Sequence, residues 1–106
     1  KVLVPVQPSV FDIFATRAFL DDLAANKHVD SSKIALVGMR VDGRTIAADK
    51  LHAFVDSLDL PVLTYLRDTQ NYVHLAAHGL TLFDVAPGRF EKDLEQWQPI
   101  CRWLDK

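Results

Sequence analysis

Cysteine is almost missing from this 106-residue chain: Cys101 stands alone. With no partner for an internal disulfide, the chain is no disulfide scaffold, and a reducing, cytoplasmic setting is the expectation. Glycine is scarce as well. Gly38, Gly43, Gly79 and Gly88 build no glycine-rich turn between a strand and a helix with a following Lys-Ser/Thr, so this segment carries no P-loop of its own. Neither charge sign dominates. Twelve basic residues against 14 acidic ones give a net charge of −2 and a pI near 6.0, which excludes a uniformly basic nucleic-acid binder and leaves room only for a local basic patch. No apolar run approaches the ~20 residues of a membrane span, and the first residues carry no signal-peptide pattern. What remains, 49% hydrophobic and 25% charged residues, is ordinary globular composition at a length that supports one core.

The opening Lys1-Val2-Leu3-Val4-Pro5-Val6, without an initiator Met or a polar lead-in, leads us to expect a piece of a longer protein. Its continuous β-branched run reads as a buried parallel strand, with Pro5 favouring an edge or a bulge because it has no N–H to donate. Ser9 is a good N-cap and Asp12 suits the first turn of a helix from Val10 to Ala25. That helix is apolar over so wide an arc that more than half of it should be covered. Ile34–Met39 is a second strand and Arg40–Thr45 a loop. Ala47, Leu51, Phe54, Val55 and Leu58 give the clearest amphipathic helix of the chain, and Pro61 ends it. Val62–Leu66 is the third strand. A short helix capped by Asp68 or Thr69 follows and stops at Gly79. Leu80–Ala86 is irregular, and Pro87-Gly88 leads into a last helix with Phe90, Leu94, Trp97, Cys101 and Leu104 on one face, kinked or split at Pro99.

Strands alternating with helices predict a three-layer α/β domain: a parallel sheet of about three strands with helices on both faces. Ligands of such sheets bind at the carboxyl ends of the strands, here Gln7–Ser9, Met39–Thr45 and Arg67–Asn71. Arg40, Asp42, Arg44, Arg67 and Asp68 fall on that rim, as nucleotide or partner contacts or as mutually paired loop charges. His74 and His78 are spaced to share a helix face, but Leu75 stands where a zinc protease needs glutamate, so solvated or capping roles are expected and no metal site. Cys101, among apolar neighbours, reads as an inert thiol. From Pro87 onward four basic residues balance four acidic ones, so the last helix should pack on the sheet and not on a lipid surface.

Taken together, Val2-Leu3-Val4-Pro5-Val6-Gln7-Pro8-Ser9 with Phe11-Asp12, then Val37-Gly38-Met39-Arg40-Val41-Asp42-Gly43-Arg44-Thr45, then Leu60-Pro61-Val62-Leu63 with Leu66-Arg67, Tyr72 and Gly79, resemble the segments downstream of switch II in the ParA/MinD (Soj-like) family of deviant P-loop partition ATPases. The resemblance spans nearly the whole chain in order and spacing. It implies the C-terminal half of a SIMIBI-type P-loop NTPase fold, whose phosphate loop, switch regions and catalytic Asp lie in a missing N-terminal half. It further implies a bacterial parent that hydrolyses ATP with Mg, forms a homodimer, binds DNA non-specifically, answers to a ParB-like activator and partitions chromosomes or plasmids. This half would supply part of the dimer surface and the adenine-side loops, with Met39, Arg40, Asp42, Arg67 and Asp68 as nucleotide-side residues and no catalytic residue. Alone it should neither hydrolyse ATP nor hold ATP or ADP tightly. Met39 departs from the Asn or Thr of many members, and His74 from their Glu. The alternative is a non-enzymatic α/β module that binds a protein or nucleic acid.

Overall fold

In the computed structural model, which describes residues 1–106, three strands alternate with helices: β1 (Val2–Val6), α1 (Val10–Ala25), β2 (Ile34–Val41), α2 (Ile46–Asp56), β3 (Val62–Arg67), α3 (Asn71–Ala77) and α4 (Glu91–Leu104). Short 3-10 turns at Ser31–Lys33, Leu82–Asp84 and Pro87–Phe90 link them. The sheet is parallel throughout, in the order β1-β2-β3. The α/β class and the three-strand parallel sheet therefore match the alternation in the sequence. No helix is long and apolar enough to cross a membrane.

The central strand is the most deeply buried. Ile34 to Gly38 are all covered, as expected of a strand with a layer on each side. One face packs against α1 and α2 through Val4, Val6, Leu20, Leu36, Leu51 and Phe54, among others. The other, smaller layer is Val37, Leu66 and Ile100, with Trp97 and Leu63 at its border, and it is closed by α4. β1 lies at the edge and pairs in unbroken register with β2, Pro5 opposite Val37. The proline is tolerated there because an edge strand has one side without a ladder partner.

Four local expectations need correction. Ser9 stands at the N-cap of α1, but its side chain makes no cap bond; instead the Asp12 carboxylate accepts the Gln7 N–H at 2.6 Å. α1 is not mostly covered: only Thr16 and Leu20 are buried, while Phe11 and Phe14 stay 86% and 69% exposed. Apolar residues all round a helix cannot all reach a core that touches one side of it. Pro99 neither splits nor ends α4. Its ring removes one donor toward Glu95, an exposed residue, and the buried Ile100 beside it holds the helix on the sheet. The buried stripe of α4 is also rotated from the expected one, running through Asp93, Trp97 and Ile100 and leaving Leu104 half exposed.

Two smaller boundaries moved. Arg40 and Val41 belong to β2 and not to the following loop. The N-cap of α3 is Gln70, though Thr69 Oγ1 still accepts the Asn71 N–H at 3.2 Å. α2 opens as its sequence suggests, with Thr45 Oγ1 accepting the Ala48 N–H at 3.1 Å. Gly79, at φ +68, follows α3 in the left-handed conformation that glycine adopts without strain.

Gly38 has a different reason to be glycine. It lies opposite Tyr65 in the β2–β3 register, and a Cβ there would come within 2.4 Å of Tyr65 Cδ1. The tyrosine ring has little freedom to retreat, since the His52 ring packs 4.3 Å from it, centroid to centroid. Gly38→Ala is therefore expected to cost about 1–3 kcal/mol, the usual penalty of overpacking. Thermal melts would check it, with part of the loss restored by adding Tyr65→Ser.

Candidate functional site

The carboxyl ends of β2 and β3 do not run out evenly. From Gly38 to Val41 β2 uses three steps where β3 uses two, from Tyr65 to Arg67, so Met39 and Arg40 form a bulge. Arg40 sits there at φ 54, the only non-glycine residue in the left-handed region. Such a conformation is costly for a residue with a Cβ, and it turns the chain so that Arg40 and Met39 face a cavity at the rim.

That cavity, about 360 Å³, lies between the two strand ends and the start of α3. Met39, Leu66, Tyr72 and Trp97 form its apolar wall, and Arg40, Arg67, Asp68, Thr69 and Gln70 its polar one. Four of the five residues singled out from the sequence, Met39, Arg40, Arg67 and Asp68, thus meet at one place. Asp42 does not line it. Its carboxylate is occupied in the loop by Arg44, which donates from Nε at 3.0 Å and from Nη2 at 2.9 Å. Those bonds, and the Arg44 backbone N–H, lower the Asp42 pKa to about 2. Arg40 and Asp68 approach at 3.7 Å, both largely exposed, a pairing worth ~0–1 kcal/mol.

Arg67 is held more firmly. Its Nε donates to Asp93 Oδ1 at 2.6 Å and its Nη2 to Asp93 Oδ2 at 3.0 Å, while its backbone N–H donates to Gln96 Oε1 at 3.0 Å. Asn71 Nδ2 donates to the same Asp93 Oδ2 at 2.9 Å. Asp93 is fully buried and the Arg67 side chain about a third exposed, so the planar guanidinium and carboxylate meet with two parallel bonds at the margin of the core. The Arg67 hydrogen bonds hold the Asp93 carboxyl below its ordinary pKa, and the Asp93 carboxylate raises that of Arg67. α4 therefore grips the end of β3 through Asp93 and Gln96, three residues apart on one helix face, and fixes Arg67 at the cavity wall.

Asp93 and Gln96 were missed in the sequence, where Asp93 counted only as one of four balancing acids. The signal was its position. Asp93, Trp97 and Ile100 fall at helical spacing on one face, and an acid on an apolar stripe needs a buried partner. Trp97 links the layers further, donating from Nε1 to the Tyr72 hydroxyl at 3.1 Å. Burial pushes the Tyr72 pKa up. His74 lies exposed on α3, and His78, expected on the same helix face, lies exposed just past the helix end; both border a shallow depression with Asn71 and Arg89; no group of three or more His, Cys, Asp or Glu side chains is placed to hold a metal. Cys101 is half-buried and free.

A cavity of this size, apolar and aromatic on one side and polar on the other, can take a flat heterocycle such as a purine base. The same rim offers no glycine-rich loop to cradle phosphates and no acidic cluster for a divalent cation. No protein-family model matches the chain, and neither a curated protein nor a solved structure does.

Proposed function

We propose that this chain is the C-terminal portion of a ParA-like partition ATPase and that the cavity at the carboxyl ends of β2 and β3 is the base side of its nucleotide site. The carrying observation is the convergence of Met39, Arg40, Arg67 and Asp68 on one cavity at the carboxyl edge of a parallel sheet, where α/β folds bind ligands. In this reading Tyr72 and Met39 flank the base, Arg67 is a fixed cation held by Asp93, and Arg40 is an adjustable one on its bulge. The phosphate loop, the magnesium ligands and the hydrolytic chemistry belong to the N-terminal half. The parent is then a P-loop NTPase of the SIMIBI type that dimerises around ATP, answers to a ParB-like activator and carries chromosomal or plasmid cargo over non-specific DNA. The open outer edge of β1 is where the sheet of the missing half would continue.

The decisive experiment is on the parent gene and its product. A Lys-Gly-Gly-x-Gly-Lys-Thr/Ser loop is expected upstream of Lys1, and a gene that starts here would end the proposal. In the parent, Arg40→Ala should weaken ATP binding several-fold, about 1 kcal/mol, as removal of one exposed charged contact does. The isolated 106-residue chain should bind ATP negligibly at millimolar concentration. Tight binding by the chain alone would contradict the assignment of the phosphate site to the other half.

One observation favours the second reading, a non-enzymatic interaction module: the phenylalanine-rich outer face of α1 has no partner within the chain. Negligible nucleotide binding by a parent with no upstream P-loop would select it.

A further inference from the structure

Two hollows adjoin where α3, the segment 80–90 and α4 meet, and Leu75 and Leu80 line both. One, about 270 Å³, is apolar: Leu75 and Leu82 are its buried wall, and Tyr72, Phe83 and Trp97 add three aromatic rings. No charged side chain lines it. Phe83 meets Trp97 edge to face, with ring centroids 6.1 Å apart, so the wall already has the geometry in which aromatic rings attract. The loop that closes this hollow is tied by a reciprocal cap. Thr81 Oγ1 accepts the Phe83 N–H at 3.2 Å, and the Asp84 carboxylate accepts the Thr81 N–H at 2.8 Å. The hollow is therefore formed before any ligand arrives, as small-molecule sites usually are.

The other hollow is the depression of about 500 Å³ bordered by His74, His78 and Arg89, with Val85 and Phe90 as its apolar floor. None of the three nitrogen-bearing side chains is answered by an acid. The ion pairs of the chain are Arg40–Asp68, Arg44–Asp42 and Arg67–Asp93, and no carboxylate lines the depression. The acids closest to it along the chain are already spent. Asp84 accepts from the Thr81 N–H and hydroxyl, and Asp93 accepts from Arg67 and from Asn71 Nδ2. The Arg89 guanidinium lies over the Phe90 ring, 5.6 Å from its centroid, which holds its charge at the edge of an apolar surface. In a chain of net charge −2, a cationic rim without its own acid is complementary to an anion from outside.

From this juxtaposition we infer that the two hollows are one binding site for a small amphipathic carboxylate, its aryl or alkyl body in the apolar hollow and its carboxylate between Arg89 and the His74 and His78 rings. Each half constrains the ligand. An uncharged apolar molecule leaves the cationic rim unanswered, and a bare anion gives up the burial offered by Leu82, Phe83 and Trp97. A nucleic acid is a poor match, because phosphates in a row call for a longer run of Lys and Arg than a single arginine on an apolar floor. Tyr72 and Trp97 also border the cavity at the strand ends, but Arg40 and Arg67 line only that cavity, so the two sites separate by their cations. The inference holds whether or not the strand-end cavity takes a nucleotide.

Titration of the whole chain with 4-phenylbutyrate, without nucleotide, tests it. In a Trp103→Phe background Trp97 is the one tryptophan left, and its fluorescence reports on the apolar hollow. The expected result is a saturable change with a Kd of about 1 mM or below, ordinary for a ligand of this size. The neutral 4-phenylbutanamide should bind about 10-fold more weakly, since it lacks the charge that Arg89 answers. Arg89→Gln should weaken the carboxylate about 10-fold and the amide hardly at all, with circular dichroism unchanged. Leu80→Glu, which sets an acid where the two hollows join, should abolish the response, whereas Arg40→Ala should leave it intact. No saturable change up to about 10 mM would overturn the inference. So would equal affinity for carboxylate and amide, indifference to Arg89→Gln, or a loss in Arg40→Ala as large as in Arg89→Gln, which would move the probe to the strand-end cavity. A chain that ignores the probe and instead holds duplex DNA through Arg89 would overturn it too, by giving the depression to nucleic acid.

Discussion

Replacing Asp93 by alanine is expected to cost about 2–4 kcal/mol of folding stability, somewhat less than breaking a wholly buried ion pair, because the Arg67 side chain left behind is already 35% exposed. Asp93 is fully buried and accepts three side-chain hydrogen bonds, two from Arg67 and one from Asn71. Alanine removes the acceptors, empties a fully buried position of α4 and frees Arg67 and Asn71 from the contact that ties β3 to α4. Urea titration checks the size of the effect. Asp93→Leu should lose less, about half as much, because it refills the space, although Arg67 must still turn back to water. An Asp93→Ala variant as stable as the parent chain would mean that the pair is held open by solvent and does not tie α4 to the sheet.

The same pair fixes the acid side of the stability profile. The folded Asp93 pKa lies below its unfolded value, about 3.9, chiefly because of the Arg67 hydrogen bonds. A carboxyl depressed in this way contributes its full stability above the unfolded pKa and loses it as pH falls through the folded one. Stability should therefore be level from neutral pH to about 5 and decline below about 4. Asp93→Asn, which cannot ionise, should flatten that decline while lowering stability at pH 7. Asp30 and Asp42 are shifted in the same direction, but both are exposed loop carboxylates and add little.

Most of the fold was legible because it rests on period and punctuation. α1 was bounded at both ends by Pro8-Ser9 and the polar Asn26, and the β-branched runs at 34–39 and 62–66 could hardly be anything but strands. What failed was whatever depends on which side of an element finds a neighbour. Apolar residues fill α1 all round, so its sequence states no preferred face, and only the packed structure shows that Thr16 and Leu20 turn inward while Phe11 and Phe14 do not. Pro99 broke a rule of helix interiors that tertiary packing overrode. At the candidate site the rim was read from strand order alone, and it brought together Met39, Arg40, Arg67 and Asp68. Asp42 left the group because its local pairing with Arg44, two residues away, is cheaper in chain entropy than any reach to the cavity. Asp93 is separated from Arg67 by 26 residues, and no local pattern announces a contact of that range.

Leu51→Ala should match or exceed the Asp93 substitution in size, for a different reason. Leu51 is completely buried at the centre of α2, in the ten-residue cluster that joins α1 and α2 to the sheet, with Leu36 of the central strand, also fully covered, in the same cluster. Truncation there removes transfer energy and leaves a cavity that rigid β2 cannot close, a loss of about 3–5 kcal/mol. Ile46→Ala, on the same helix but 76% exposed, should change stability by less than about 0.5 kcal/mol. Because Leu51 and Asp93 lie in opposite layers of the sheet and share no partner, their effects should add. A domain of this length has only ~5–15 kcal/mol in total, so the double variant should lose most of its stability at 25 °C, with each single variant still folded. A double variant no less stable than the singles would mean that either change alone already releases both layers. The sheet would then be one cooperative sandwich in which neither α4 nor the α1–α2 layer stands without the other.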